Sequence, residues 1–88
     1  MFRVEWLQEA LDELTNIWLE ADSDLRKAIT AATHAIDVEL STDPYRESES
    51  RREDRVLFAF PLAVQIEVDA EKQMVWVLHV WRFRKRGG

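Results

Sequence analysis

The chain has 88 residues, 47% of them hydrophobic and 10% aromatic, and a formal net charge of −5. That length makes residues 1–88 one domain with one core, hiding about 60–65% of its unfolded surface. The absence of cysteine excludes disulfides, thiolate metal sites and a cysteine nucleophile, and the excess of acid weighs against general nucleic-acid binding, which depends on Lys and Arg.

At the N-terminus Phe2, Val4 and Trp6 alternate with Arg3 and Glu5, the period of a strand with one buried face. The early acid and the short apolar block do not make a signal peptide. No later segment reaches the roughly 18–20 apolar residues of a membrane span, so a cytoplasmic protein is expected. From Leu7 the period lengthens. Leu7, Leu11, Leu14, Trp18 and Ala21, with Ile17 beside them, predict an amphipathic helix over 7–20. Asp22-Ser23-Asp24 offers an N-cap for a second helix, whose stripe runs through Leu25, Ile29, Ala32, Ile36 and Leu40 until Asp43-Pro44 stops it. Residues 41–54 then read as a long polar loop with Tyr45 as its one large apolar side chain.

Three strands follow, over 55–60, 62–68 and 74–84, with a corner at Pro61 and a turn at 69–73. The element order is therefore βααβββ, a small α+β domain with a basic tail at 84–88. If even-numbered positions face the helices throughout, the core contains Val56, Phe58, Phe60, Leu62, Val64, Ile66, Val68, Met74, Trp76, Leu78 and Val80. Arg55, Gln65, Glu67, His79, Trp81 and Phe83 then occupy the uncovered face. Leu57, Val75 and Val77 join them there, an apolar patch larger than a soluble monomer usually exposes. Trp6, Trp18 and Trp76 are expected in the core.

Charge is uneven along the chain. Glu5, Glu9, Asp12, Glu13, Glu20, Asp22 and Asp24 crowd the first half, whereas Arg46, Arg51, Arg52 and Arg55, and later Arg82, Arg84, Lys85 and Arg86, form basic clusters. One basic end on an acidic protein and two solvated charge runs flanking a sheet both fit this pattern.

Several segments in this order carry a resemblance: Trp6–Trp18, Asp43-Pro44, Glu49–Arg51, Arg55–Phe58, Pro61–Val64 and Val80–Arg82. Together they resemble the RelE/ParE-type toxins of bacterial type II toxin–antitoxin pairs, over nearly the whole chain. The resemblance implies an antiparallel sheet with both helices packed on one face, and a cognate antitoxin as partner. It implies one of two targets: messenger RNA in the ribosomal A site, cleaved by the RelE branch, or DNA gyrase, poisoned by the ParE branch. In the cleaving branch a basic residue follows the long loop, and Arg55 stands there, after Arg51 and Arg52. Where that branch has an arginine in the next strand this chain has Ala63. Arg82 and Arg84 stand at the end of the last strand, with no tyrosine after them.

Cleavage of this kind needs no metal and no cofactor. The ribose 2′-hydroxyl attacks the adjacent phosphate, so one group removes a proton, another supplies one, and cations stabilise the phosphorane. Glu67 and His79, expected on neighbouring strands of one face, supply the proton pair, and Arg55, Arg82 or Arg84 the phosphate clamp. Alternatively Glu67 is a solvated strand residue and His79 a packing residue. Trp81 and Phe83 stack on bases or bury against the antitoxin or a second copy of the chain. Arg51 and Arg52 contact RNA or partner, or pair with neighbouring acids of the loop. His34, three residues before Asp37, reads as a surface histidine. Two histidines without cysteine lack metal-ligand spacing.

Overall fold

The structure, a computed structural model, describes residues 1–45, 49–51 and 54–84, with 49–51 and 54 described through their backbone. In chain order the elements are β1 (Arg3–Trp6), α1 (Gln8–Glu20), α2 (Ser23–Thr42), β2 (Glu49–Arg51), β3 (Asp54–Ala59), β4 (Leu62–Asp69) and β5 (Met74–Arg82). Among the described residues the strands form one five-stranded sheet in the order β1-β5-β4-β3-β2. The helices pack on it, α1 against β5 and α2 against β1, β3 and β4, which is the expected small α+β domain.

The structure adds two features. The short strand β2 lies inside the polar segment that reads as a loop. It pairs antiparallel with β3. The first strand runs parallel to β5, so the sheet is mixed, while β2 to β5 follow one another as antiparallel pairs.

α2 has the stripe the sequence predicts. Ile29, Ala32, Ile36 and Leu40 are buried, Asp22 caps the helix by accepting the Leu25 N–H at 2.8 Å, and Asp43 follows its last residue, Thr42. In α1 the buried face is shifted. Ala10 and Ala21 are buried and Leu14 and Ile17 pack against the core, but Leu7, Leu11 and Trp18 are exposed. The small Ala10 lets α1 lie close beside β5, and the larger side chains stand on its outer flank. Trp18 is therefore not a core residue; the Arg26 guanidinium lies 5.3 Å from its ring centroid.

The face assignment of the strands departs most from expectation, for a countable reason. A two-residue corner at Phe60-Pro61 pairs Ala59 with Leu62, and a four-residue turn pairs Asp69 with Met74. Each joins an odd position to an even one, so the inward parity changes from strand to strand. Leu57 pairs with Val64, and Val75 with Val68. All but the half-buried Val68 are buried on the helix side, whereas Phe58 and Trp76 face the other way. Between Val77, opposite Ile66, and His79, opposite Gln65, one residue of β5 is extra. This bulge at Leu78 restores the original parity, so Val80 points inward again. The core thus joins Ile29, Ile36 and Leu40 of α2 to Leu57, Leu62, Val64, Ile66, Val75, Val77 and Val80 of the sheet. The expected core members Phe58, Phe60, Met74, Trp76 and Leu78 lie outside it, and Leu57, Val75 and Val77 leave the expected surface patch.

Candidate interface on the uncovered sheet face

The uncovered face carries an aromatic cluster at the end of the sheet where β3 turns into β4. Phe58 and Trp81 stand opposite Ala63 from either side. Ala63 is fully buried although it faces away from the helices. The ring of Phe83 meets Phe58 edge-on at 5.3 Å and Phe60 edge-on at 5.7 Å between centroids, the geometry aromatic quadrupoles favour. The Phe83 N–H donates to the Pro61 carbonyl at 3.0 Å, tying the end of β5 to the corner. These rings are not covered: Phe58 is 43% exposed, Phe60 51% and Trp81 38%. Arg82 and Arg84, both exposed, flank Trp81 and Phe83 in sequence, but Arg82 pairs with Leu62 and so, like Arg55, shares the helix side and not the face of the rings.

His79 belongs to a different set of contacts. β1 ends at Trp6, opposite Val77, and Leu7 donates its N–H to the Val77 carbonyl. Beyond that point α1 runs along the edge of β5. Glu13 uses one carboxylate oxygen to accept the Val80 N–H at 3.1 Å and to meet His79 Nδ1 at 3.3 Å, while Glu9 lies 3.9 Å from His79 Nε2. Glu13 thus ties the imidazole to α1, and Glu9, one helical turn earlier, stands beside its other nitrogen. Their spacing on α1 is visible in the sequence, but nothing in it says that β5 passes beneath. The ring turns its two nitrogens to different carboxylates, and among the described residues no three His, Cys, Asp or Glu side chains are placed to hold a metal ion.

The remaining candidates are dispersed. Glu67 is exposed opposite Trp76, whereas His79 is opposite Gln65. Among the described residues the carboxylates that meet His79 are Glu9 and Glu13, not Glu67. Arg55, expected on the uncovered face, pairs with Ile66 and shares the helix side; its guanidinium lies 5.0 Å from the Tyr45 ring centroid, and Tyr45 meets Phe2 edge-on. Parity is again the reason. Arg51 enters β2 opposite Asp54, but its side chain, like Arg52, lies outside the described residues. So do Lys85 and Arg86. On α2 His34 is exposed and lines a cleft of about 380 Å³ with Val4, Trp6 and Asp37, and the Asp37 carboxylate accepts the Trp6 indole N–H at 2.8 Å. No helix among the described residues is long and apolar enough to cross a membrane.

No protein-family model matches the chain, and no curated protein matches it in sequence. Solved structures do match its fold. A chain of the RelBE2 toxin–antitoxin complex of Mycobacterium tuberculosis superposes with a TM-score of 0.77 at 16% identity, over 96% of this chain and 93% of the other. The chromosomal ParDE system of P. aeruginosa gives 0.70 at 15% identity, over 96% and 98%. The E. coli RelBE toxin–antitoxin complex gives 0.61 at 20% identity, over 97% and 100%. The strand order, the two helices packed on the sheet and these superpositions together show that the chain has the RelE/ParE-like fold.

Proposed function

We propose that the chain is the toxin component of a toxin–antitoxin pair and acts by protein contact through its uncovered sheet face. The observation that carries this reading is the cluster of Phe58, Phe60, Trp81 and Phe83, three of whose rings remain 38–51% exposed on a chain of only 88 residues. Exposed aromatic side chains of this kind are the usual anchors of protein interfaces. The similar solved structures are toxin–antitoxin complexes, which supports an antitoxin as the first partner. Its acidic residues would meet Arg82 and Arg84. The target is then a protein such as DNA gyrase.

A second reading, ribosome-dependent cleavage of messenger RNA, draws on the exposed Arg82 and Arg84 at the end of β5 and on rings of the uncovered face able to stack on bases. It would assign phosphate binding to these arginines and to Arg55, and proton transfer to Glu67 and His79. The placement of Arg55 against Tyr45 on the helix side, and of His79 between Glu9 and Glu13, favours the first reading.

Inducible expression of the chain alone tests both. Growth arrest with induction of the DNA-damage response and intact messenger RNA supports protein contact. Arrest with cuts at A-site codons would replace it with the cleavage reading, and unimpeded growth would overturn the toxin role.

A further inference from the structure

We propose that the outer edge of β1 pairs antiparallel with β1 of a second copy of the chain, about a two-fold axis at Val4 that joins the two sheets edge to edge. This contact stands apart from the aromatic cluster and holds whether or not the chain is a toxin.

β1 ends the sheet, with β5 on one side and, among the described residues, no strand on the other. The strand and the part of α2 beside it belong to the stretch 1–45, every residue of which is described. Residues 46–48 lead into β2 and 52–53 lead out of it, at the opposite edge of the sheet, and 85–88 follow the far end of β5. Backbone alternation says what the β1 edge offers. Arg3 donates its N–H to the Gln73 carbonyl and Leu7 to the Val77 carbonyl, so the odd positions turn to β5. Phe2 turns the other way and donates to the Ser41 carbonyl. Val4 and Trp6 therefore direct their N–H and C=O groups outward, a template for one more strand.

The side chains say which strand it takes. Phe2-Arg3-Val4-Glu5-Trp6 runs ring, cation, valine, anion, ring, and a two-fold axis sets this order against its own reversal. Val4 then exchanges both backbone bonds with Val4 of the second copy, and the Trp6 N–H donates to the Phe2 carbonyl of that copy. Arg3 stands opposite Glu5 of the second copy, and Glu5 opposite its Arg3, in the closer pairs of an antiparallel ladder, about 4.5 Å between Cα atoms. Both side chains are exposed, Arg3 beside Met74 and Glu5 beside Trp76. An axis at Arg3 or at Glu5 would set like charges directly opposite, so charge selects the register. Charges on an edge strand ordinarily deter pairing, but the order of these two makes the edge complementary to itself. On the helix side Val4 and Trp6 line a cleft of about 380 Å³ with Val38, which is 49% exposed. The axis turns this apolar flank toward its counterpart.

Sedimentation of the purified full chain over a rising concentration series, with backbone amide shifts followed in parallel, tests the pairing. A monomer–dimer equilibrium is expected, with concentration-dependent shifts at Val4 and Trp6 and none at Phe58 or Phe83. Arg3→Glu and Glu5→Arg should each weaken self-association about tenfold or more, because each sets like charges opposite. Mixed in equal amounts, the two variants should pair with each other as tightly as the parent pairs with itself. The double variant Arg3→Glu/Glu5→Arg should recover self-association for the same reason. A chain that stays monomeric up to its solubility limit, association indifferent to both single substitutions, or shifts centred on Phe58 and Phe83 would overturn the proposal. The amide map of the parent needs no variant and decides the matter if a substituted chain does not fold.

Discussion

The two faces of the sheet are made from the same strands and differ in kind. The helix side is built of branched aliphatic residues, Leu57, Leu62, Val64, Ile66, Val75, Val77 and Val80, all buried. The uncovered side carries rings: Trp76 opposite Glu67, and at the other end Trp81 opposite Ala63 beside the edge-on group of Phe58, Phe60 and Phe83. Branched aliphatic side chains interdigitate and fill a closed interior. Rings offer a large, stiff surface that loses little entropy when a partner covers it. One face therefore stabilises the fold, and the other is the face we propose for contact.

This contrast is open to measurement. Ile66→Ala, in the buried face, should lower the free energy of unfolding by about 2–5 kcal/mol, whereas Phe60→Ala should lower it by only about 1 kcal/mol, the scale of one edge-on ring contact. Urea denaturation of both variants reads the difference, and equal losses would break the division of labour. Trp81→Ala should weaken a purified partner complex by about 2 kcal/mol or more, roughly 30-fold, measured by calorimetry. Unchanged affinity in a folded variant would remove Trp81 from the interface.

Smaller effects sharpen the picture at the boundary between the faces. Glu13→Ala removes the acceptor of the Val80 N–H and should cost about 1 kcal/mol, with faster hydrogen exchange at Val80. His79→Gln leaves that bond intact, and a smaller loss is expected. Slow exchange at Val80 in Glu13→Ala would show that the Glu13 carboxylate is not what protects this amide. At the turn that sets the parity of β5, Gln73 has a φ of 54°, which costs a non-glycine residue roughly 1 kcal/mol. Gln73→Gly regains part of that, offset by its greater freedom when unfolded. A net gain of a few tenths of a kcal/mol in thermal denaturation is expected, and a loss would mean that the Gln73 amide contact to Ala70 outweighs the backbone strain.

Local signals in the sequence account for most of the architecture. The α2 stripe from Leu25 to Leu40, the Asp22 cap and the alternation in 62–68 each depend on neighbours within a few residues. What was not legible depends on pairing across the chain. Whether Phe58 or Leu57 faces the helices is decided by which residue Ala59 meets across the Phe60-Pro61 corner, and Leu78 becomes a bulge only once both strands are in register. The same limit governs the candidate site. Trp81 and Phe83 keep the face expected of them because the bulge cancels the turn, while Arg55 changes face and His79 acquires partners from α1. The three-residue β2, built from Glu, Ser and Arg, has no apolar alternation to announce it.

The central claim is that the chain acts by contact through its aromatic face and does not assemble a site for cutting RNA. Single-turnover incubation of the purified, folded protein with programmed ribosomes tests it most directly. The account predicts no cleavage of A-site codons above the ribosome-only background. Cleavage above that background would contradict it, and a fall on the order of 10²-fold or more in Arg55→Ala, with loss in His79→Ala, would place the cutting site at those residues.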